Sequence, residues 1–157
     1  MSPVRRVQTS SEAETRALAS RIAPHLPGGS LLGLIGDLGA GKTVFVQGLA
    51  LGLPGGEQLR VRSPSYVIVE EHATEPRLIH ADLYRIGGVA ELEGIGFEEI
   101  VDDPGAIVAV EWFERAEGLA LPPALRIALE AGQGDVRRLT FSADDPRYAA
   151  ALQAMDG

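Results

Sequence analysis

Apolar and polar positions along the chain switch between a period of two and a period near four, and the switches mark the elements. Residues 5–9, Arg-Arg-Val-Gln-Thr, read as a short strand. Ser11 then opens a helix with Glu14 three residues on, the spacing of a capping box. Leu18, Ile22 and Leu26 give that helix one apolar face, and Pro24 with Pro27-Gly28-Gly29 ends it. Residues 30–35, Ser-Leu-Leu-Gly-Leu-Ile, form a buried strand. A glycine-rich turn follows, then a second helix over about 42–51 that stops at Gly52 and Pro54-Gly55-Gly56.

The second half begins with strands at 66–70 and 77–82, joined by a loop around Thr74-Glu75-Pro76. Residues 89–101 are acidic and helical in two pieces, broken at Gly94 and Gly96. Residues 106–110, Ala-Ile-Val-Ala-Val, are the next buried strand and run into Glu111-Trp112. Leu125, Ile127 and Leu129 alternate with Arg126, Ala128 and Glu130, and the Gly132-Gln-Gly-Asp135 turn leads to 137–142. This is a hairpin with one exposed face. A terminal helix is expected over 146–155. With no internal repeat and no linker, the pattern predicts one α/β domain over 1–157, a mixed sheet between helices.

Composition narrows the function. Charges of 14 − 22 give a net −8 and a pI near 4.8. Tight binding to nucleic acid needs a basic surface to displace counterions, so any nucleic acid is expected to be handled through a partner. Cysteine is absent, which excludes disulfides, thiolate nucleophiles and cysteine-ligated zinc. No secretory signal follows Arg5-Arg6, and the most apolar stretch, 30–36, is far below the ~20 residues of a membrane span. The expected location is cytoplasmic, with no membrane partner.

Gly36-Asp37-Leu38-Gly39-Ala40-Gly41-Lys42-Thr43 fits G-x-x-x-x-G-K-[ST] at every fixed position, between a strand and a helix. Glycines let successive backbone N–H groups turn inward as a nest for a phosphate, and the helix adds its positive end. Lys42 would reach the β- and γ-phosphates and the Thr43 hydroxyl would ligate Mg²⁺. The lysine count sharpens the reading: of 14 basic residues 13 are arginine, and the single lysine stands where a compact ammonium is wanted. The expected fold is therefore a three-layer P-loop NTPase-like one, with ATP and Mg²⁺ as cofactors. Glu111 ends an apolar strand where a Walker B carboxylate belongs, and Asp82 ends another as a site carboxylate or a helix N-cap. His80 shares a strand face with Asp82 and reads as structural.

Four motifs occur in order: Gly36-Asp-Leu-Gly-Ala-Gly-Lys-Thr43, Ser63-Pro-Ser-Tyr66, His80-Ala-Asp-Leu-Tyr-Arg85 and Val110-Glu-Trp112. Together they resemble the TsaE (YjeE) family of small bacterial ATPases required for threonylcarbamoyladenosine formation in tRNA, from about Val7 through the hairpin. The resemblance implies that Lys42 and Thr43 are the loop lysine and threonine, Glu111 a magnesium ligand, and Asp82 the residue that positions the attacking water. It implies a switch-like loop at 63–66, where Ser65 replaces the usual threonine and keeps its hydroxyl. The end of the first strand, near Ser10–Glu12, is expected to border the adenine.

The resemblance further implies an accessory role beside TsaB and TsaD, where TsaD transfers threonylcarbamoyl to an adenosine next to the anticodon. tRNA is then met only indirectly. The acidic 91–103 stretch is a candidate for part of the docking face, and equally for a solvated helix face. Two rivals remain at this stage, a small-molecule P-loop kinase and a non-catalytic nucleotide-binding module. No arginine finger is evident, and Arg85 and Arg115 are candidates by their nearness to the motifs alone. A Ras-like GTPase is excluded, because guanine readout by N/T-K-x-D needs a lysine and the sole one is in the loop.

Overall fold

The computed structural model describes residues 3–57, 59, 61 and 69–156. Ser65, with the rest of the 63–66 motif and the first part of the strand expected at 66–70, lies outside the described residues.

The strands are β1 (Val4–Thr9), β2 (Leu31–Ile35), β3 (Val69–His72), β4 (Arg77–Asp82), β5 (Ala106–Glu111), β6 (Ala124–Ala131) and β7 (Arg137–Ser142). They form one mixed sheet in the order β1-β7-β6-β2-β5-β4-β3. The central four, β6-β2-β5-β4, run parallel, and β7, β1 and β3 add antiparallel edges. Both faces of β2 and β5 are covered, which is why their sequences are continuous apolar runs without alternation. The hairpin strand β6 does alternate, with Leu125, Ile127 and Leu129 inward.

The helices are α1 (Glu12–Ile22), α2 (Lys42–Leu51), α3 (Val89–Gly94), α4 (Phe97–Val101) and α5 (Ala149–Ala154). Short 3₁₀ turns follow α1, follow β5 and precede α5. One face of the sheet buries Leu32, Leu34 and Ile107 under Leu18 and Ile22 of α1 and Phe45 and Leu49 of α2. The other buries Leu31, Val108 and Val110 under Leu92, Phe97 and Val101 of α3 and α4. Glu91, Glu93, Glu98 and Glu99 point away from that core and are exposed. Among the described residues no helix is long and apolar enough to cross a membrane.

Two local details depart from the expectation. The Ser11 hydroxyl accepts from the Glu14 N–H at 3.1 Å, but the Glu14 carboxylate reaches back to the Ser10 N–H, one residue before the cap. The first helix also tightens into a 3₁₀ turn at Ala23–His25, because Pro24 cannot donate to the α ladder, and Leu26 joins the core from beyond it.

Small residues set the interlayer spacing. A Cβ on Gly33 would lie 2.3 Å from the Phe113 ring, so glycine inside β2 makes room for the aromatic that covers it. On α2, Gly48 and Gly52 face α1 so closely that a Cβ on Gly48 would stand 2.4 Å from the Arg16 carbonyl and 2.7 Å from the Ala19 methyl. Since the opposing atom is backbone, the helices would have to separate. Gly48→Ala is therefore expected to destabilise the fold by about 1–3 kcal/mol, the cost of overpacking. Gly94→Ala, where a Cβ meets nothing within 4 Å, should change stability by less than about 1 kcal/mol. Urea unfolding of the two variants beside the parent chain checks the contrast.

Candidate functional site

The parallel strands β2, β5 and β4 end side by side, with Leu34 in register with Glu111 and Glu111 in register with Asp82. From the end of β2 the chain turns through 36–41 into α2. The Ala40 N–H donates to the Asp37 carbonyl at 3.1 Å, and Gly41 enters the helix in the left-handed region at φ 103°, where a side chain would be strained. Gly39 is also left-handed, at φ 79°, and Leu38 stands out at 68% exposed.

Lys42 is 5% exposed. Its Nζ donates to the Gly36 and Asp37 carbonyls, the latter at 2.9 Å, and lies 4.4 Å from the centre of the Trp112 ring. Burial pushes the Lys42 pKa below its ordinary value. Glu111, Glu114, Asp82 and Asp37 act in the opposite sense without cancelling the loss of hydration. The ammonium is thus held at the base of the loop on two carbonyl dipoles and an aromatic face. These are weaker partners for a cation than an anion would be.

Beside it, the Thr43 hydroxyl donates to Glu111, lying 2.9 Å from Oε2 and 3.0 Å from Oε1. Glu111 is 3% exposed, and its Oε2 is also 2.5 Å from His80 Nε2. Asp82 Oδ1 accepts from the Tyr84 N–H at 2.9 Å, capping the turn that leaves β4. Asp82 is thus not a helix N-cap, since α3 begins only at Val89 behind Gly88; its carboxylate closes a turn and stands next to Glu111. The structure brings Lys42, Thr43, Asp82 and Glu111 to one end of the sheet.

A cavity of about 210 Å³ adjoins the loop on its other side, lined by Glu12, Thr15, Gly41, Thr43 and Arg137 among others. Glu12 faces it from the first turn of α1, where its carboxylate pairs with Arg16 at 2.9 Å.

Sequence reasoning missed three participants. His80, read as structural, contacts Glu111; its even spacing from Asp82 along β4 was the available signal. Trp112 holds φ 58°, unusual for a non-glycine residue, and its ring packs on Tyr84 at 5.1 Å between centres. Arg137 donates to the Gly39 carbonyl at 3.2 Å and buttresses the loop from 98 residues away in sequence. Arg115, a candidate finger by nearness, donates to the Ile86 carbonyl at 3.0 Å, and its guanidinium lies over the Trp112 and Tyr84 rings.

The family model described as threonylcarbamoyl adenosine biosynthesis protein TsaE matches residues 9–139. The tRNA threonylcarbamoyladenosine biosynthesis protein TsaE of Streptomyces coelicolor is 35% identical over 144 residues, 87% of this chain and 95% of its own. That of Aquifex aeolicus is 41% identical over 116 residues, 73% and 81% of the two chains. That of Bacillus subtilis is 36% identical over 143 residues, 90% and 87%. The crystal structure of Bacillus subtilis YdiB superposes with a TM-score of 0.79 at 31% identity, covering 99% of this chain and 96% of that one.

Lys42 Nζ is seated against two loop carbonyls and the Trp112 ring, contacts that the longer, planar head of an arginine would have to displace. Both Lys42→Ala and Lys42→Arg should lose nucleoside triphosphate affinity by roughly 10–100-fold, the scale of a charged hydrogen bond. Titration calorimetry measures it, and full affinity in Lys42→Arg would remove the loop from the site.

Proposed function

The chain belongs to the TsaE family, and on that premise we propose that it binds and hydrolyses ATP as an accessory subunit in tRNA threonylcarbamoyladenosine formation. In this reading it is a Mg²⁺-dependent ATPase that acts in the cytoplasm with the TsaB–TsaD pair. It is not itself the threonylcarbamoyl transferase, and it meets tRNA only through those partners. The observation that carries the reading is the meeting of Lys42, Thr43 and Glu111 beneath a glycine-rich loop that opens a helix.

The residues present fit both cofactors. The backbone of 36–41 would cradle the phosphates. Lys42, short of hydration, would exchange two carbonyls for phosphate oxygens and gain by it. Mg²⁺ takes oxygen ligands and is commonly held by one or two protein groups plus phosphates and waters. The Thr43 hydroxyl and the Glu111 carboxylate, in direct contact, are such a pair. Because Thr43 donates its proton to Glu111, the lone pairs of Oγ1 are left for a cation. The ion, when bound, supplies charge neutralisation on the β- and γ-phosphate oxygens. Asp82, in register with Glu111, would orient the attacking water. The cavity beside Glu12 and Arg137 would take the nucleoside.

Glu111→Gln keeps the shape and removes a charge. Hydrolysis should fall by at least ~10², the scale expected when transition-state charge neutralisation is lost, while ATP binding partly survives. Asp82→Asn should disturb the Mg²⁺ dependence of the rate less than Glu111→Gln does; a larger Mg²⁺ shift in Asp82→Asn would exchange the two roles.

Hydrolysis by the chain alone should be slow and clearly stimulated by TsaB–TsaD, since a trans-acting group raises rates by ~10³–10⁵ in related phosphate-loop proteins. The deciding experiment measures ATP hydrolysis with and without TsaB–TsaD, and tRNA modification in parallel. Turnover of several per second by the free chain, with nothing added by the partners, would favour a kinase instead.

A further inference from the structure

His80 is fully buried, and among the described residues its Nδ1 finds no hydrogen-bond partner. Its Nε2 lies 2.5 Å from Glu111 Oε2. That contact places a hydrogen on Nε2. A carboxylate only accepts, so Nε2 must carry the hydrogen. The histidine is thus fixed as an Nε2–H donor.

What it donates to matters. Glu111 Oε2 receives both His80 and Thr43, so the carboxylate is clamped between β4 and the first turn of α2. The register makes this possible: His80 stands opposite Ala109 on β5, and Glu111 is the next residue on that face. Ala109 carries only a methyl group and leaves the imidazole room to reach along the strand. Without His80, Oε2 would keep a single donor and a buried carboxylate would be free to rotate away from Thr43.

We propose that His80 is a positioning residue that holds Glu111 in the orientation needed to receive a divalent cation beside Thr43. The inference rests on reading the site as a Mg²⁺–nucleotide site. Outer partners of metal-binding side chains fix their orientation, and their loss costs 10–100-fold in metal affinity. His80 has that relation to Glu111.

The test compares nucleotide affinity with Mg²⁺ and with EDTA, using ADP so that no turnover intervenes. Three variants are used: His80→Ala, His80→Gln, which can place an amide N–H where Nε2 stands, and His80→Asn, which can place one only where Nδ1 stands. In the parent chain Mg²⁺ should tighten ADP binding. His80→Ala and His80→Asn should need roughly 10–100-fold more Mg²⁺ for the same gain while keeping their affinity in EDTA. His80→Gln should recover most of the parent's Mg²⁺ response. In the parent, ¹⁵N-labelled histidine should show His80 protonated on Nε2.

A parent chain that binds ADP with no response to Mg²⁺ defeats the reading of the site. A parent that responds, with His80→Ala or His80→Asn responding alike, defeats the role of His80 and leaves the site intact. If all three variants fail to melt cooperatively, or Gln rescues no better than Asn, His80 is a packing residue and the proposal falls.

Discussion

A carboxylate buried at the end of a parallel strand has to be met by donors, because an unpaired charge taken out of water costs more than most single contacts return. Glu111 is that carboxylate, and its donors come from different parts of the chain, Thr43 at the start of α2 and His80 on β4. Meeting them requires β2, β5 and β4 to be neighbours, in register, with their C-terminal ends level. The central sheet and the candidate site are therefore one problem with one solution. An error in strand order would leave the charge without its partners.

Lys42 completes the balance from the other side. It sits close to Glu111 yet donates to the carbonyls of its own loop, and burial lowers its pKa despite four nearby carboxylates. The site holds an ammonium and a carboxylate without spending them on each other. Such an arrangement keeps two opposite charges close together without a direct ion pair, which is characteristic of functional sites. Trp112, in a backbone conformation few side chains adopt, closes the floor under the ammonium and is backed by Tyr84 and Arg115. Strain at such a position persists only where the surroundings over-determine it.

The packing away from the site serves the same geometry. Gly48 and Gly52 let α1 approach α2, and the Arg16 guanidinium donates to Gln47 across that contact at 3.0 Å. At the opposite end of the sheet the Tyr148 hydroxyl accepts from the Leu31 N–H and donates to the Pro123 carbonyl at 2.6 Å. This ties the C-terminal turn to the start of β2 and the segment before β6. Both ends of the loop-bearing strand are fixed in this way. The acidic side chains of α3 and α4 lie outside that framework and face solvent.

The sequence by itself determined the elements and the glycine-rich loop between β2 and α2. Backbone preference and side-chain period are local properties, so the runs at 31–35 and 106–111, the cap at Ser11, the break at Gly94 and Gly96, and the 132–135 turn could all be read in place. The glycine-rich run followed by lysine and threonine is likewise contiguous, one short segment joining β2 to α2. The TsaE resemblance was legible for a related reason, its motifs being four short segments in fixed order. Only the tertiary structure decided which segments became neighbours. β1 pairs with β7 across more than a hundred residues, Arg137 reaches the loop from the far hairpin, and His80 passes from an inert strand histidine to the partner of Glu111. None of these contacts has a local signature. Each follows from burying two faces of one sheet at once, and that constraint acts on the whole chain rather than on any window of it.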